Sequence, residues 1–435
     1  MKLVKNKKVA ILAVLLSLVF IAGVFAGYLY FSKTNLKTLT ASKQKDVYLA
    51  FVSEVFDKIK ENYWDSFADA ELVELFRASS EQISGLPVVL KENSRGELTN
   101  KITEILKNYD QPKKKEFVTR LADTVLSNLK PFGRSRLYSK KEEKDLVNRV
   151  NNIDPQKDLY SIIGVEKKAS ASAEELSKAY QQKTSQLEKE KVTNPEASEE
   201  LKKVAYAYEV LSKDDTKKNY DQDKVEPTVF AKLLTSDIAY LRIKQLSPLT
   251  LEEFQKAADG LSGNPSSLIF DLRSNVGGAV DILPYFLGPF IGKNQYAYDF
   301  FHQGQSVPFK TLTGWLPSLI KYKKVVILVD GQTQSSAEVM AATLKKYNVG
   351  VVLGSKTKGW GTIEKVFPLE TQLDQTEKYS LFLVHSLTLR DDNQPIEGNG
   401  VEPTVDITKP DWEKELFTRF ESSELVLAVK TLIAQ

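Results

Sequence analysis

The stretch Val325-Val-Ile-Leu-Val-Asp-Gly-Gln-Thr-Gln-Ser-Ser-Ala-Glu338 decides how the C-terminal half of this 435-residue chain is read. Five aliphatic residues in a row, four of them β-branched, predict a short strand of the buried type. A polar turn follows, and Ser336 to Lys346 reads as an amphipathic helix. A strand that enters a helix through a serine turn leaves backbone N–H groups facing outward at the helix start, where they can hold developing negative charge.

Outward from this unit, residues 226 to 406 alternate strand and helix signals. Ile238 to Ile243 and Ser267 to Leu272 read as strands, and Gly350 to Leu353 as another. Thr250-x-x-Glu253 reads as a capping box for a helix running to Leu261. A helix from Ala279 to Leu287 follows the run Asp271-Leu-Arg-x-Asn275-x-Gly277-Gly278. This is βαβ architecture.

Four motifs in this region fall in the order found in the carboxyl-terminal processing (tail-specific) peptidases, which the chain resembles over about 180 residues. Ser267 to Arg273 with Asn275 and Gly277-Gly278 matches a glycine-rich motif, with Val276 where proline is usual. Val325 to Val329 leads into Ser335-Ser336-Ala337-Glu338. Gly354-x-x-Thr357-x-Gly359-x-Gly361-Thr362 and Ile396-x-Gly398-x-Gly400-Val401-x-Pro403 complete the set. The resemblance implies a crotonase- or ClpP-like spiral of ββα units. It also implies Ser335 as the nucleophile, an oxyanion hole from the Ser336 amide and a glycine amide of Gly277-Gly278, and Glu338 beside them. From the residues alone, Ser335 as a simple helix N-cap stays open.

The family's base is a lysine about two dozen residues after the serine. Counted along the motifs, that position falls on Trp360, and the family's following glutamine on Glu364. An indole has no lone pair to accept a proton. Lys358 shares a face with Trp360 in an extended segment and is the candidate displaced base, with a solvated surface lysine as the alternative. His385, on an apolar strand from Leu381 to Leu387, reads as a partly buried strand residue, and His302 as part of a loop-like stretch after Phe300 and Phe301.

Upstream, residues 158 to 221 resemble the J-domain of DnaJ-type co-chaperones, through Asp158 to Val165, Ala179-Tyr180, Tyr206 to Leu211 and Tyr220-Asp221. The capping box Ser172-x-x-Glu175 and the helical spacing of Leu201, Val204, Tyr208 and Leu211 predict a helical hairpin. The family's His-Pro-Asp trigger would fall on Glu188, Lys189 and Glu190, so the tripeptide is absent. The module stands where related peptidases carry a PDZ domain. Before it, apolar residues at helical spacing, interrupted by Pro87, Pro112 and Pro131, predict a helical segment, and Ser139-x-x-Glu142 a capping box.

At the N-terminus, Val9 to Phe31 carries no charge and spans roughly 34 Å as a helix, enough for a bilayer core, behind Lys2, Lys5, Lys7 and Lys8. A cleaved signal peptide is the alternative. Composition narrows the rest. Sixty Lys and Arg against 57 Asp and Glu exclude a polyanion-wrapping protein, so no nucleic-acid partner is expected. The absence of cysteine excludes disulfides and thiolate chemistry, and two histidines distant in the chain leave no metal or other cofactor expected.

The sequence thus predicts an α+β protein with a lysine-rich tail (1–8), a transmembrane helix (9–31), a linker and helical domain (32–155), a J-like domain (156–222) and a tail-specific peptidase core (223–435). The expected protein is anchored in the cell membrane by a single pass with its bulk outside the cytoplasm, and binds a polypeptide substrate or protein partner. Trp360 points to an impaired peptidase acting in binding or scaffolding; the alternative is an active serine endopeptidase using Ser335 and Lys358.

Overall fold

The computed structural model describes residues 46–166, 170–191 and 194–434. The run expected to cross a membrane, Val9 to Phe31, lies outside them. Among the described residues no helix is long and apolar enough to cross a membrane.

In chain order the elements are α1 (Val47–Asn62), α2 (Asp69–Ser84), α3 (Arg95–Lys107), α4 (Gln111–Ser127), β1 (Arg136–Ser139) and α5 (Lys140–Val150). The next four helices are α6 (Leu159–Ile163), α7 (Ala173–Glu190), α8 (Ala197–Leu211) and α9 (Asp214–Asp223). Then come β2 (Val229–Leu233), β3 (Ile238–Ile243), α10 (Thr250–Gly260), β4 (Ser267–Asp271), α11 (Leu283–Ile291), β5 (Tyr296–His302), β6 (Gln305–Lys310), α12 (Pro317–Ile320) and β7 (Lys324–Val329). The chain closes with α13 (Ser336–Lys346), β8 (Val351–Gly354), β9 (Thr362–Pro368), β10 (Tyr379–Leu389), β11 (Val405–Asp406), α14 (Trp412–Phe420) and α15 (Ser423–Ile433).

Six strands in the order β11-β8-β7-β4-β3-β2 form the central sheet, parallel except for the β2–β3 pair. Side chains of a strand alternate between faces, and β7 shows what the aliphatic run is for. Val325, Ile327 and Val329 enter a core with Phe254, Phe286 and Met340 from α10, α11 and α13. Val326 and Leu328 enter the opposite core, closed by Leu416, Leu425 and Val429 of α14 and α15. A strand covered by helices on both faces has no polar side to show.

The second sheet is organised by β10, which pairs β9 along one edge and both β1 and β5 along the other. Through it the helical segment is not a separate bundle. Phe51, Phe56, Leu72 and Leu121 share one buried core with Leu381, Leu383 and Leu387 of β10. Three readings need correction. Phe300, Phe301 and His302 lie on β5 rather than in a loop. The helix expected from Ala279 begins as a 3₁₀ turn at Val280 and continues as α11 to Ile291. The Thr250 box does not form, because Glu253 instead accepts the N–H and hydroxyl of Thr228.

The expected helical hairpin is four helices. α7 and α8 are joined by α6 and α9 around Leu159, Leu176, Leu187, Val204, Leu211 and Tyr220. Glu188, Lys189 and Glu190 are still helical, in the last turn of α7, and the connecting loop begins only after them.

Candidate active site

Ser335 is the N-cap of α13 and holds φ 57°, ψ −129°, a backbone conformation that a residue with a side chain rarely adopts. Two contacts hold it there. The Gln334 amide donates to the Asn275 carbonyl at 2.9 Å, tying the serine turn to the glycine-rich loop. Gly277, at φ 81°, lies so close that a Cβ on it would sit 2.6 Å from the Ser335 Cβ and 3.0 Å from its Oγ. Only glycine fits there.

The expected oxyanion donors divide. The Gly277 amide is engaged, donating to Asn275 Oδ1 at 2.8 Å. Among the described residues, no recorded hydrogen bond engages the amides of Ser336 or Gly278, and the Ser336 hydroxyl donates to the Gly278 carbonyl at 3.2 Å, which brings the two residues together. Gly278 is pressed against Leu246, whose amide donates to the Gly277 carbonyl at 2.8 Å and whose carbonyl accepts from Ala279 at 2.7 Å.

Glu338 is fully buried and accepts four hydrogen bonds. They come from the amides of Ser335 (2.9 Å), Gly359 (2.7 Å) and Trp360 (2.7 Å) and from the Thr357 hydroxyl. With its lone pairs occupied this carboxylate is a staple between the serine turn and the turn at 357–361, not a free base. The second glycine turn interlocks with the first, through Gly398 N to Gly359 O at 3.0 Å and Val401 N to the Thr357 hydroxyl at 2.7 Å.

Trp360 is half-buried, and the Arg134 guanidinium stacks 3.4 Å from its ring centroid. Arg134 comes from the loop after α4 and also donates to the Thr362 hydroxyl and to Glu397 Oε1, each at 2.9 Å. Glu397 in turn accepts the Gly361 amide at 2.8 Å. Burial raises the carboxyl pKa of Glu397 and of Glu364, partly offset in both by Arg134. The Lys358 ammonium is exposed and lies 5.4 Å over the Trp360 ring. Among the described residues no side chain, that of Lys358 included, hydrogen-bonds Ser335 Oγ.

Arg134, Glu397 and Thr357 were missed as site residues. Thr357 and Glu397 lie inside matched motifs, so a signal existed; Arg134 had none, being 228 residues from Thr362 in the chain. His385 is a strand residue as expected, but it stacks on His302 with ring centroids 4.3 Å apart.

Residues 237–407 match the model of Peptidase family S41, and residues 158–221 match the DnaJ domain. The carboxy-terminal processing protease CtpA of Bacillus subtilis is 28% identical over 192 residues, covering 43% of this chain and 38% of its own. CtpB of the same organism is 29% identical over 194 residues, covering 42% and 38%. The chain thus spans well under half the length of these relatives. A solved photosystem II D1 C-terminal processing protease aligns with 83% of this chain and 93% of its own at 13% identity and a TM-score of 0.46. The chain resembles the C-terminal processing peptidases over its last part and carries a J-like domain ahead of that part.

Proposed function

We propose that this chain is a peptidase homologue that binds polypeptide ends or partner proteins without cleaving them. On this reading it is held at the cell membrane by Val9 to Phe31, with its bulk outside the cytoplasm. One observation carries the loss of cleavage: the residue at the position of the family's base is Trp360, fixed by Glu338 through its backbone and by Arg134 across its ring, and among the described residues no lysine or histidine side chain hydrogen-bonds Ser335 Oγ. A serine hydroxyl with no base to take its proton is a poor nucleophile. The J-like module fits the same picture, since its expected trigger positions are helical and lack His-Pro-Asp.

The strained Ser335 turn favours the second reading, an active serine endopeptidase that processes C-termini. On that reading Lys358 swings across Trp360 to reach the hydroxyl. The two are separated by incubating wild type, Ser335→Ala and Lys358→Ala with unfolded substrates bearing apolar C-termini. Cleavage by wild type that both substitutions abolish would establish the second reading; no cleavage by any of the three supports the first.

A further inference from the structure

The only two histidines of the chain meet where the helical segment joins the second sheet. The β5–β6 hairpin turns through Gln303 and Gly304, and its tip caps α1. The Gln303 amide donates to the Trp64 carbonyl at 2.7 Å, and its side chain donates to the carbonyls of Lys60 and Tyr63 at 3.2 and 3.1 Å. From the other side the Trp64 amide donates to Val384 O at 3.0 Å, at the irregularity in β10 that contains His385. His302, next to the hairpin tip, donates from Nδ1 to the His385 carbonyl at 2.6 Å, and its ring lies flat on the His385 ring.

The groups facing this pair carry one sign. Lys365 of β9 places its Nζ 3.5 Å from His385 Nε2; Phe367 of β9 stacks at 6.1 Å; the α1 end brings uncharged Tyr63 and Trp64, and β6 brings Gln305 opposite His302. What lowers the His385 pKa is burial, Lys365 and His302, with no carboxylate among them; its Nδ1 also lies 2.8 Å from the Ser386 hydroxyl. Protonation would therefore stack an imidazolium against a second imidazole beside an ammonium.

We propose that His302, His385 and Lys365 form an acid-sensitive joint, closed when the His385 imidazole is neutral, whose protonation frees the hairpin tip and loosens the helical segment from the peptidase sheet. The sign follows from the pKa. Burial first, then Lys365, lowers His385 from 6.5 to about 4, so the open state binds the proton more readily. Closure is fully favoured above the ordinary histidine value and weakens as pH falls from there towards about 4. That shift makes opening about thirtyfold more favourable at about pH 5 than at about pH 7.5.

The test is amide hydrogen exchange of the full chain in detergent, read on the peptide spanning Lys60 to Phe67 and corrected for intrinsic rates. Wild type should exchange at least about tenfold faster at about pH 5 than at about pH 7.5. His385→Phe, which keeps an aromatic ring against Phe367, should show no more than about a twofold change. Lys365→Met, at an exposed position, removes the neighbouring cation but leaves the burial that contributes most, so it should reduce the wild-type change without abolishing it. A wild-type ratio near one overturns the proposal. So does a tenfold change retained in His385→Phe; should that variant not fold, His385→Gln, which also removes the titrating ring, decides the matter.

Discussion

The J-like module and the serine turn each keep a framework around positions where the residues expected from resemblance are replaced, but they hold the replacements differently. In the module, Glu188 and Lys189 point into solvent at the end of α7, and the packing around Leu187 and Leu176 does not depend on them. In the turn, Trp360 is woven in by Glu338, Arg134 and, through Arg134, by Glu397. A surface position changes at little cost to stability. A position inside a hydrogen-bonded turn changes only with its surroundings. On the proposed reading, the module's loss is one of signal alone, whereas the turn's loss is built into its packing.

The sharpest way to break this contrast is catalytic. Removing one member of a cooperating nucleophile and base costs on the order of 10⁴ in rate. Wild type should therefore cleave unfolded substrates no faster than Ser335→Ala. Trp360→Lys should restore a small part of the rate, limited by Arg134 sitting where the new amine must settle. Recovery to a large fraction of a peptidase rate by that single change would mean the turn is no more committed than the module.

Next in size is Glu338→Gln. The amide group would meet N–H and O–H donors in a fully buried site, and a loss of about 3 kcal/mol is expected. Urea denaturation followed by tryptophan fluorescence measures it; a midpoint within error of wild type would remove the staple from the account. Smaller again is Glu226→Gln. Buried Glu226 accepts from Lys157 at 2.8 Å and from the Tyr206 hydroxyl, which joins the module to the segment leading into β2. A loss of about 2 kcal/mol is expected, read by the same melt. The smallest expected effect is none. The chain should not raise the ATPase rate of a DnaK-type chaperone in a single-turnover assay, and a several-fold rise would show that the module still signals.

Local patterns were legible where their partners were also local. Ser139 and Ser172 form the capping boxes that their spacing suggests, and α13 runs from Ser336 to Lys346 as read. The contact of Gly277 with Ser335 was legible as paired motifs. What stayed hidden was set by distant partners. Thr250 lost its box because Thr228 claims Glu253. The four-residue β1, with Arg136 exposed and only Leu137 buried, becomes a strand only because β10 supplies its ladder. β5 carries Asp299 at its centre and His302 at its end among its aromatics, and these polar residues masked the alternation. Arg134 has no neighbour in sequence that hints at Trp360.

The ends of the J-like module carry one more consequence. Asn152 and Glu226 clasp each other: the Glu226 amide donates to the Asn152 carbonyl at 3.1 Å, the Asn152 side chain returns a bond to the Glu226 carbonyl at 2.9 Å, and Ile153 bridges Val225. The module therefore leaves and rejoins the rest of the chain through a single doorway. A chain whose entry and exit already touch can exchange what hangs from them without rerouting a strand. The doorway is an accepting socket, and excising the module with a short glycine link from Asn152 to Glu226 should leave both sheets threaded as before.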